Sequence, residues 1–169
     1  MIASNSRGID LYDYSTGNTI KRNTIERNGL GFRIFITADE NTVLGNAIRS
    51  NNKGLFSYGA SRNTIIENTF SGNNYAIEFS ESSGNTVYHN NFVDNTKQID
   101  SYKSENVWDD GYPPGGNYWS NYIGVDDKKG PNQDQLGSDG IGDSPYVINE
   151  NNRDRYPLMN PWIIPSFNY

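Results

Sequence analysis

The sequence predicts an all-β fold, a parallel β-helix, and three observations lead to it. An asparagine motif recurs about every 22 residues, apolar and polar residues alternate just before each copy of it, and turns rich in Gly, Ser and Asn separate these segments. A fixed period in this range is typical of a solenoid, in which each repeat forms one coil and cannot fold alone. We expect about five coils of about 22 residues.

The motif reads Asn-Thr-(Ile/Val)-x-x-Asn-x-(Ile/Phe)-x-x-Asn. Its copies begin at Asn18, Asn41, Asn63 and Asn85, in steps of 23, 22 and 22 residues, and Asn106 follows 21 residues later. Stacked coils lie about 4.8 Å apart, so an amide can donate to one neighbouring coil and accept from the other. The three predicted asparagine columns are Asn18/Asn41/Asn63/Asn85/Asn106, Asn23/Asn46/Asn68/Asn90 and Asn28/Asn51/Asn73/Asn95.

We interpret these asparagines as corner residues rather than as contacts for a glycan or a metal, because they follow the period. Asparagine also tolerates the left-handed backbone that a sharp corner needs.

The upstream half of each repeat alternates apolar and polar residues, which is the period of a strand and not of a helix. We therefore expect three short strands per coil and a core made of apolar columns. These columns are Ile9/Phe32/Leu55/Ile77/Ile99, Ile20/Val43/Ile65/Val87 and Ile25/Ile48/Phe70/Phe92.

Composition limits the function classes. The 169 residues are within the range of one domain, and a net charge of −6 without a basic stripe argues against a nucleic-acid partner. There is no cysteine and no apolar run long enough to span a membrane, so we expect a chain that is not membrane-spanning. Because the repeats begin directly at Gly8 without a polar cap, we expect the chain to be a fragment with coils or an export signal upstream.

The repeat is lost after residue 108. We assign 1–108 to the β-helix and 109–169 to a C-terminal capping segment of the same structural domain. Its aromatic residues, with Trp108, are expected to plug the open end of the last coil; these are Trp108, Tyr118, Trp119 and Tyr122. The alternative is a platform on which sugars stack.

An acidic, glycine-rich stretch lies within the cap. Asp126 and Asp127 precede a Lys-Lys-Gly turn, and Asp139 and Asp143 flank Gly-Ile-Gly. Several carboxylates on a glycine turn can bind Ca²⁺, although no glutamate stands at the twelfth position of an EF-type loop. We expect either a Ca²⁺ site or a plain Asp/Gly turn cluster.

The repeat and the tail resemble a known group. Gly-Ile-x-Leu followed by Asn-Thr-(Ile/Val)-x-x-Asn, over about residues 7–108, is similar to the repeats of NosD-like, carbohydrate-binding and sugar-hydrolase (CASH) β-helices. The tail residues 116–122, 139–146 and 156–158 resemble the end segment of secreted and surface proteins of this group, many of them archaeal. The resemblance implies a right-handed β-helix and an exported or cell-surface protein, but it fixes no activity.

The copper-site assembly role known in this group is disfavoured here, because copper prefers soft or imidazole ligands and the chain has one histidine, two methionines and no cysteine. The Gly-His-Gly signature of polygalacturonases and the Asp-Pro-His-Asp signature of alginate epimerases are also missing from the sequence.

A glycan-binding face is predicted on the outward side of the first strands, where aromatic residues recur in four of five coils. Outward aromatic residues are unusual unless something covers them. The candidate ligand-binding residues are Tyr12, Arg33, Phe35, Phe56, Tyr58 and Tyr102. The alternatives are an aromatic ladder that stabilises the strands, or cover from a C-terminal loop.

Two function classes follow. The first is a non-catalytic extracellular or cell-surface module that binds a neutral or uronic polysaccharide or a surface-layer neighbour. The second is a polysaccharide hydrolase or lyase, for which Glu78 and Asp100 are the candidate catalytic residues. They occupy equivalent positions of adjacent coils, close to the roughly 5 Å carboxylate separation of retaining glycosidases. The acids are scattered among the repeats, which favours the module.

Overall fold

The computed structural model describes residues 1–164 and contains no α-helix in that part of the chain. Parallel strands stack in register from coil to coil and form the three sheets of a parallel β-helix. This confirms the predicted all-β solenoid of about five coils with a period of about 22 residues.

The first sheet holds the longest strands, six residues each: β2 Arg7–Tyr12, β5 Leu30–Phe35, β8 Lys53–Tyr58, β11 Tyr75–Ser80 and β14 Lys97–Tyr102. The second sheet holds β3 Thr19–Lys21, β6 Thr42–Leu44, β9 Thr64–Ile66 and β12 Thr86–Tyr88. The third sheet holds β1 Ile2–Ala3, β4 Thr24–Glu26, β7 Ala47–Arg49, β10 Thr69–Ser71, β13 Asn91–Val93 and β15 Tyr118–Trp119. Two small antiparallel pairs complete the fold, β16 Lys128–Lys129 with β17 Gln135–Leu136 and β18 Tyr146–Asn149 with β19 Asn152–Asp154.

The asparagine columns form hydrogen-bonded ladders. In the second column the Asn46 side-chain amide donates to Asn68 Oδ1 at 3.0 Å, and the Asn46 backbone N–H donates to the same oxygen at 2.9 Å. The same two bonds join Asn68 to Asn90 at 3.0 Å each. These bonds satisfy polar groups that the corners would otherwise leave unpaired. At the end of the first column, however, the buried side-chain nitrogen of Asn106 has no hydrogen-bond partner.

The left-handed residues at the corners are not the asparagines themselves. Except at Asn106, the residue just before each corner asparagine has positive φ instead, for example Arg22 at 58°, Glu67 at 56° and Gly45 at 62°. That residue makes the bend with its side chain outside, while the asparagine side chain turns inward to form the ladder.

The core consists of the predicted apolar columns, with two exceptions at the first coil. Ile9 and Ile20 are half-buried because the first coil has a neighbour on one side only, whereas Phe32, Val43 and Phe70 are fully buried. An aromatic stack then leads from the core into the cap: Phe70–Phe92 at 5.3 Å, Phe92–Trp119 at 4.3 Å and Trp119–Tyr146 at 4.1 Å between ring centroids.

The C-terminal segment closes the last coil. Trp108 and Trp119 are each only 1% exposed, while Tyr118 and Tyr122 are half-buried. The parallel stacking also continues past residue 108, because Tyr118 and Trp119 pair in parallel with Asn91 and Phe92.

The cap residue Tyr122 is held by two glycines. Its hydroxyl donates to the Ser144 carbonyl at 2.6 Å, and a Cβ on Gly124 or Gly142 would collide with that hydroxyl.

Candidate functional site

The candidate surface is the outward side of the six-residue strands, which we call the long-strand face. It carries two parallel columns of side chains, because every second residue of a strand points outward. The mixed column is Asp10, Arg33, Phe56, Glu78 and Asp100, and the hydroxyl–aromatic column is Tyr12, Phe35, Tyr58, Ser80 and Tyr102.

Three aromatic rings of the second column stack on one another. The Tyr12–Phe35 centroids are 5.9 Å apart with planes at 13°, and the Phe35–Tyr58 centroids are 5.2 Å apart at 27°. Ser80 then interrupts the column, so Tyr102 stands apart from this stack. The aromatic ladder that the sequence left open as an alternative therefore exists over three coils, and not over four.

The interruption creates a slot. Tyr58 and Tyr102 lie one coil on either side of Ser80, which places them about 10 Å apart along the axis. Phe35 has a ring against each face, whereas Tyr58 has a stacking partner on one side and a serine on the other. The slot over Ser80 is therefore where this face offers room beside an aromatic ring.

The first coils of the mixed column are tied together by an ion pair. Arg33 donates to both carboxylate oxygens of Asp10, at 2.7 Å from Nε and 2.8 Å from Nη2. The Arg33 guanidinium also lies 4.7 Å from the Phe35 ring centroid and 5.2 Å from that of Tyr12. The Arg33 side chain is only 13% exposed, so its main role is to hold the face together rather than to contact a ligand.

The two candidate catalytic carboxylates are register partners on adjacent strands, as the sequence indicates. Each is also paired with a lysine: Glu78 Oε2 lies 2.7 Å from Lys53 Nζ, and Asp100 Oδ1 lies 2.9 Å from Lys97 Nζ. Lys53 further lies 4.8 Å from the Phe56 ring centroid. The lysines offset the repulsion between the two carboxylates.

The acidic stretch of the cap is a hydrogen-bonded turn in this structure. Asp126 accepts from the Asp139 and Gly140 backbone amides at 3.0 and 2.8 Å, and Asp143 accepts from the Lys128 amide at 3.0 Å. Asp139 accepts from the Ile141 amide at 3.1 Å, whereas Asp127 is exposed. In the described range 1–164 no group of three or more His, Cys, Asp or Glu is placed to hold a metal ion. The Ca²⁺ site stays a prediction, and binding would require these carboxylates to leave their amide partners.

His89, the one histidine, is enclosed by the cap. Its ring stacks on Trp162 at 3.5 Å and 3°, and Nε2 lies 3.1 Å from the Pro114 carbonyl oxygen. Burial lowers the pKa of His89, while the hydrogen bond to Pro114 acts in the opposite direction.

The cap contains a buried carboxylate that no sequence pattern predicts. Asp154 is fully buried beneath the second asparagine column and accepts from the Asn117 backbone N–H at 2.7 Å and from Trp119 Nε1 at 2.9 Å. Burial raises its pKa from 3.8 to about 7, although these hydrogen bonds act in the opposite direction. The Asp154 carboxylate occupies the space beside Gly116, where the Cβ of any larger residue would collide with it. The Arg-Asp-Arg tripeptide around it reads as a surface turn, so no local signal marks the burial.

Comparison with known proteins gives one family. The model of the family described as "Periplasmic copper-binding protein (NosD)" matches residues 1–124. No curated protein and no solved structure matches the chain.

The residues present do not fit a copper site. Copper prefers imidazole and soft sulfur ligands. The chain has one histidine and no cysteine. His89 Nε2 lies against the Pro114 carbonyl and its ring stacks on Trp162, so these residues do not supply such a ligand set. A separate finding concerns membranes: residues 1–164 contain no helical segment that could serve as a membrane span.

Proposed function

The chain belongs to the NosD family, and from that premise we propose that it is a non-catalytic β-helix module, outside the cytoplasm, that binds polysaccharide on its long-strand face. The family description supports the compartment. The copper in that description is not carried over, because the ligand set does not fit it.

The observation that carries the proposal is the slot over Ser80. A sugar ring there would lie between Tyr58 and Tyr102, with one apolar face toward each aromatic ring. Two ring contacts at a fixed spacing supply apolar area without a large loss of side-chain freedom. Glu78 and Asp100 stand beside the slot in the neighbouring column, and their carboxylates can accept from sugar hydroxyls.

Two substitutions test the slot from opposite directions. Tyr58→Ala removes one ring, and we expect at least a tenfold loss of affinity for whichever soluble polysaccharide the wild-type protein binds. Ser80→Phe fills the slot and completes the aromatic column, so we expect the same loss together with unchanged or higher thermal stability. The measurement is calorimetric titration against neutral glucans, mannans and xylan and against the uronic polygalacturonate and alginate.

The matched control is Phe35→Ala. The sequence places Phe35 among the candidate binding residues, but this proposal leaves it out of the site, because rings enclose it on both sides and it does not border the slot. We expect it to lower stability and to leave affinity within threefold. Full affinity in Ser80→Phe would refute binding in the slot.

The register of Glu78 and Asp100 keeps an enzymatic function as a second candidate. One coil step, about 4.8 Å, is near the roughly 5 Å separation that retaining glycosidases use. Release of reducing ends by the wild-type protein, with loss of that activity in Glu78→Gln and an unchanged melting temperature, would replace the binding module by a hydrolase.

A further inference from the structure

In two of the three corner columns the last asparagine donates its backbone N–H to a cap side chain or is followed by one, and in the third it is not. Asn106, at the end of the first column, donates its backbone N–H to Asn152 Oδ1 at 3.0 Å. Asn90, in the second column, is followed by Asn117 and then by Asp154. In the third column Asn95 is followed by no equivalent cap side chain within residues 1–164; its amide instead donates to Gln98 Oε1 at 2.9 Å.

The sequence explains the open corner. Asn91 pairs with Tyr118 and Phe92 with Trp119, and counting on from there places Tyr122 opposite Asn95. The paired strand ends at Trp119, however, and the chain turns, with the Tyr122 N–H donating to the Trp119 carbonyl at 2.9 Å. A tyrosine cannot continue an asparagine ladder. It turns away, and its hydroxyl donates to the Ser144 carbonyl inside the cap.

A cavity of about 490 Å³ lies at this corner, between the turn after β13, residues 120–121 and the cap strand β18. That volume is within the usual range of small-ligand sites. Its lining includes Asn95, Thr96, Gln98, Ser120 and Asn121. The lining also includes the apolar Ile99, Val147 and Ile148. The amides and hydroxyls beside them both donate and accept, which matches sugar hydroxyls.

The charges of the cavity offset each other. Lys97 and Asp94 are the charged side chains among the residues that line it, one of each sign. A site with no net charge suits a neutral ligand better than a uronate or a phosphate.

An aromatic wall supports the cavity. Tyr146 lines it and stacks on the buried Trp119, which fixes the ring from behind. The Asn121 amide donates to the Tyr146 hydroxyl at 3.1 Å, whereas Gln98 reaches Asn121 only at 3.4 Å. The long bond from Gln98 is weak, so a ligand hydroxyl can replace it at little cost.

The cavity is continuous with the proposed glycan-binding face. Lys97 is the first residue of β14, the last strand of that face, and it both lines the cavity and pairs with Asp100. We propose that the open third corner binds the terminal unit of a neutral glycan whose chain runs along the long-strand face. This inference rests on the proposed function for the source of the chain, but its site is separate from the Ser80 slot.

The test compares two tryptophan substitutions at equivalent corners. Thr96→Trp fills the cavity. Asn52→Trp places the same side chain at the equivalent corner two coils away, and Asn52 is exposed, as Thr96 is. The probes are the neutral hexaoses of cellulose, starch, laminarin and mannan, titrated calorimetrically and by the NMR shift of the Asn121 side-chain amide. We expect at least one hexaose to bind the wild-type protein, with at least a tenfold loss in Thr96→Trp and less than a twofold change in Asn52→Trp.

The slot variant separates the two proposals. Hexaose binding that survives in Ser80→Phe and is lost in Thr96→Trp supports the corner site, even if no polysaccharide binds the face. Binding lost in Ser80→Phe and retained in Thr96→Trp supports the face and overturns the corner site. Asn121→Ala provides a second variant should Thr96→Trp fail to fold. If none of the four hexaoses shifts the Asn121 amide, the corner site is overturned as well.

Discussion

A single corner asparagine satisfies several polar groups at once. Asn68 Oδ1 accepts from the Asn46 backbone and side-chain amides, while its own amide donates to the Val43, Ile66 and Asn90 oxygens at 2.8, 2.9 and 3.0 Å. Aspartate lacks the donors for this pattern, and serine is too short for it. The preceding residue makes the backbone bend of the corner, and its side chain lies outside, so its type varies.

We predict that Asn68→Ala lowers the free energy of unfolding by about 1–3 kcal/mol, because it strands a buried backbone N–H and two buried carbonyls. The control is Asn18→Ala, which removes an exposed asparagine at the open end of the first column, where water replaces the lost partners. We expect its cost to stay below about 1 kcal/mol. Chemical denaturation measures both, and equal losses would contradict the ladder argument.

Asp154 makes stability depend on pH. Its folded-state pKa of about 7 lies above its ordinary value of 3.8, so the folded protein holds this proton more tightly than the unfolded chain does. Between these two pH values the folded state binds more protons, and stability falls as the pH rises, by at most about 1.4 kcal/mol per pH unit. Above about pH 7 the contribution levels off.

We predict that Asp154→Asn removes this falling contribution between pH 4 and 7, whatever its effect on absolute stability. His89 acts in the opposite direction just below its ordinary pKa of 6.5, because burial lowers its pKa in the folded state and stability then rises with pH, but it does so equally in both proteins. Asp109 titrates outside the window. Burial acts to raise its pKa, but hydrogen bonds from Arg155 and Gly111 leave the pKa below its ordinary value of 3.8, so its contribution is lost only in stronger acid. Unfolding curves at four pH values give the comparison, and parallel slopes in the two proteins would count against a protonated Asp154.

Among the elements, the cap segment closes the coil with specific acceptors and with two buried tryptophans. Arg155 fastens it to the last turn, with Nη2 2.6 Å and Nε 3.0 Å from the Asp109 carboxylate. The bridge is half exposed on the arginine side, so we assign most of the closure to Trp108 and Trp119.

We predict that a chain ending at residue 108 self-associates. It would lose Asn117, Asn152 and Asp154, which terminate two ladders, and it would expose Phe92 and the sheet edges of the last coil. Light scattering after size-exclusion chromatography checks this. A monodisperse, folded monomer would instead make 1–108 an independent unit.

For the molecule as a whole, the period of the asparagines was sufficient to predict the coil number, the register and almost all core columns. Periodic positions repeat one environment, so each copy reinforces the others. The cap has no period, and its central contacts join residues far apart in sequence, such as Asn117 with Asp154. The site was predicted only in part for the same reason: the outward columns were visible, but the slot over Ser80 depends on which neighbours flank the missing ring.

The ladders also give the molecule an electrical direction. In every column one side-chain N–H points toward the C-terminal coil and the oxygen toward the N-terminal coil, so the amide dipoles share a direction, as they do along a helix. The C-terminal end of each column therefore presents partial positive charge. Only an acceptor can close such an end, and the cap supplies Asn152 Oδ1 to one column and the Asp154 carboxylate to another. A lysine or arginine in place of Asp154 would place a positive charge against this partial positive charge, and the two would repel.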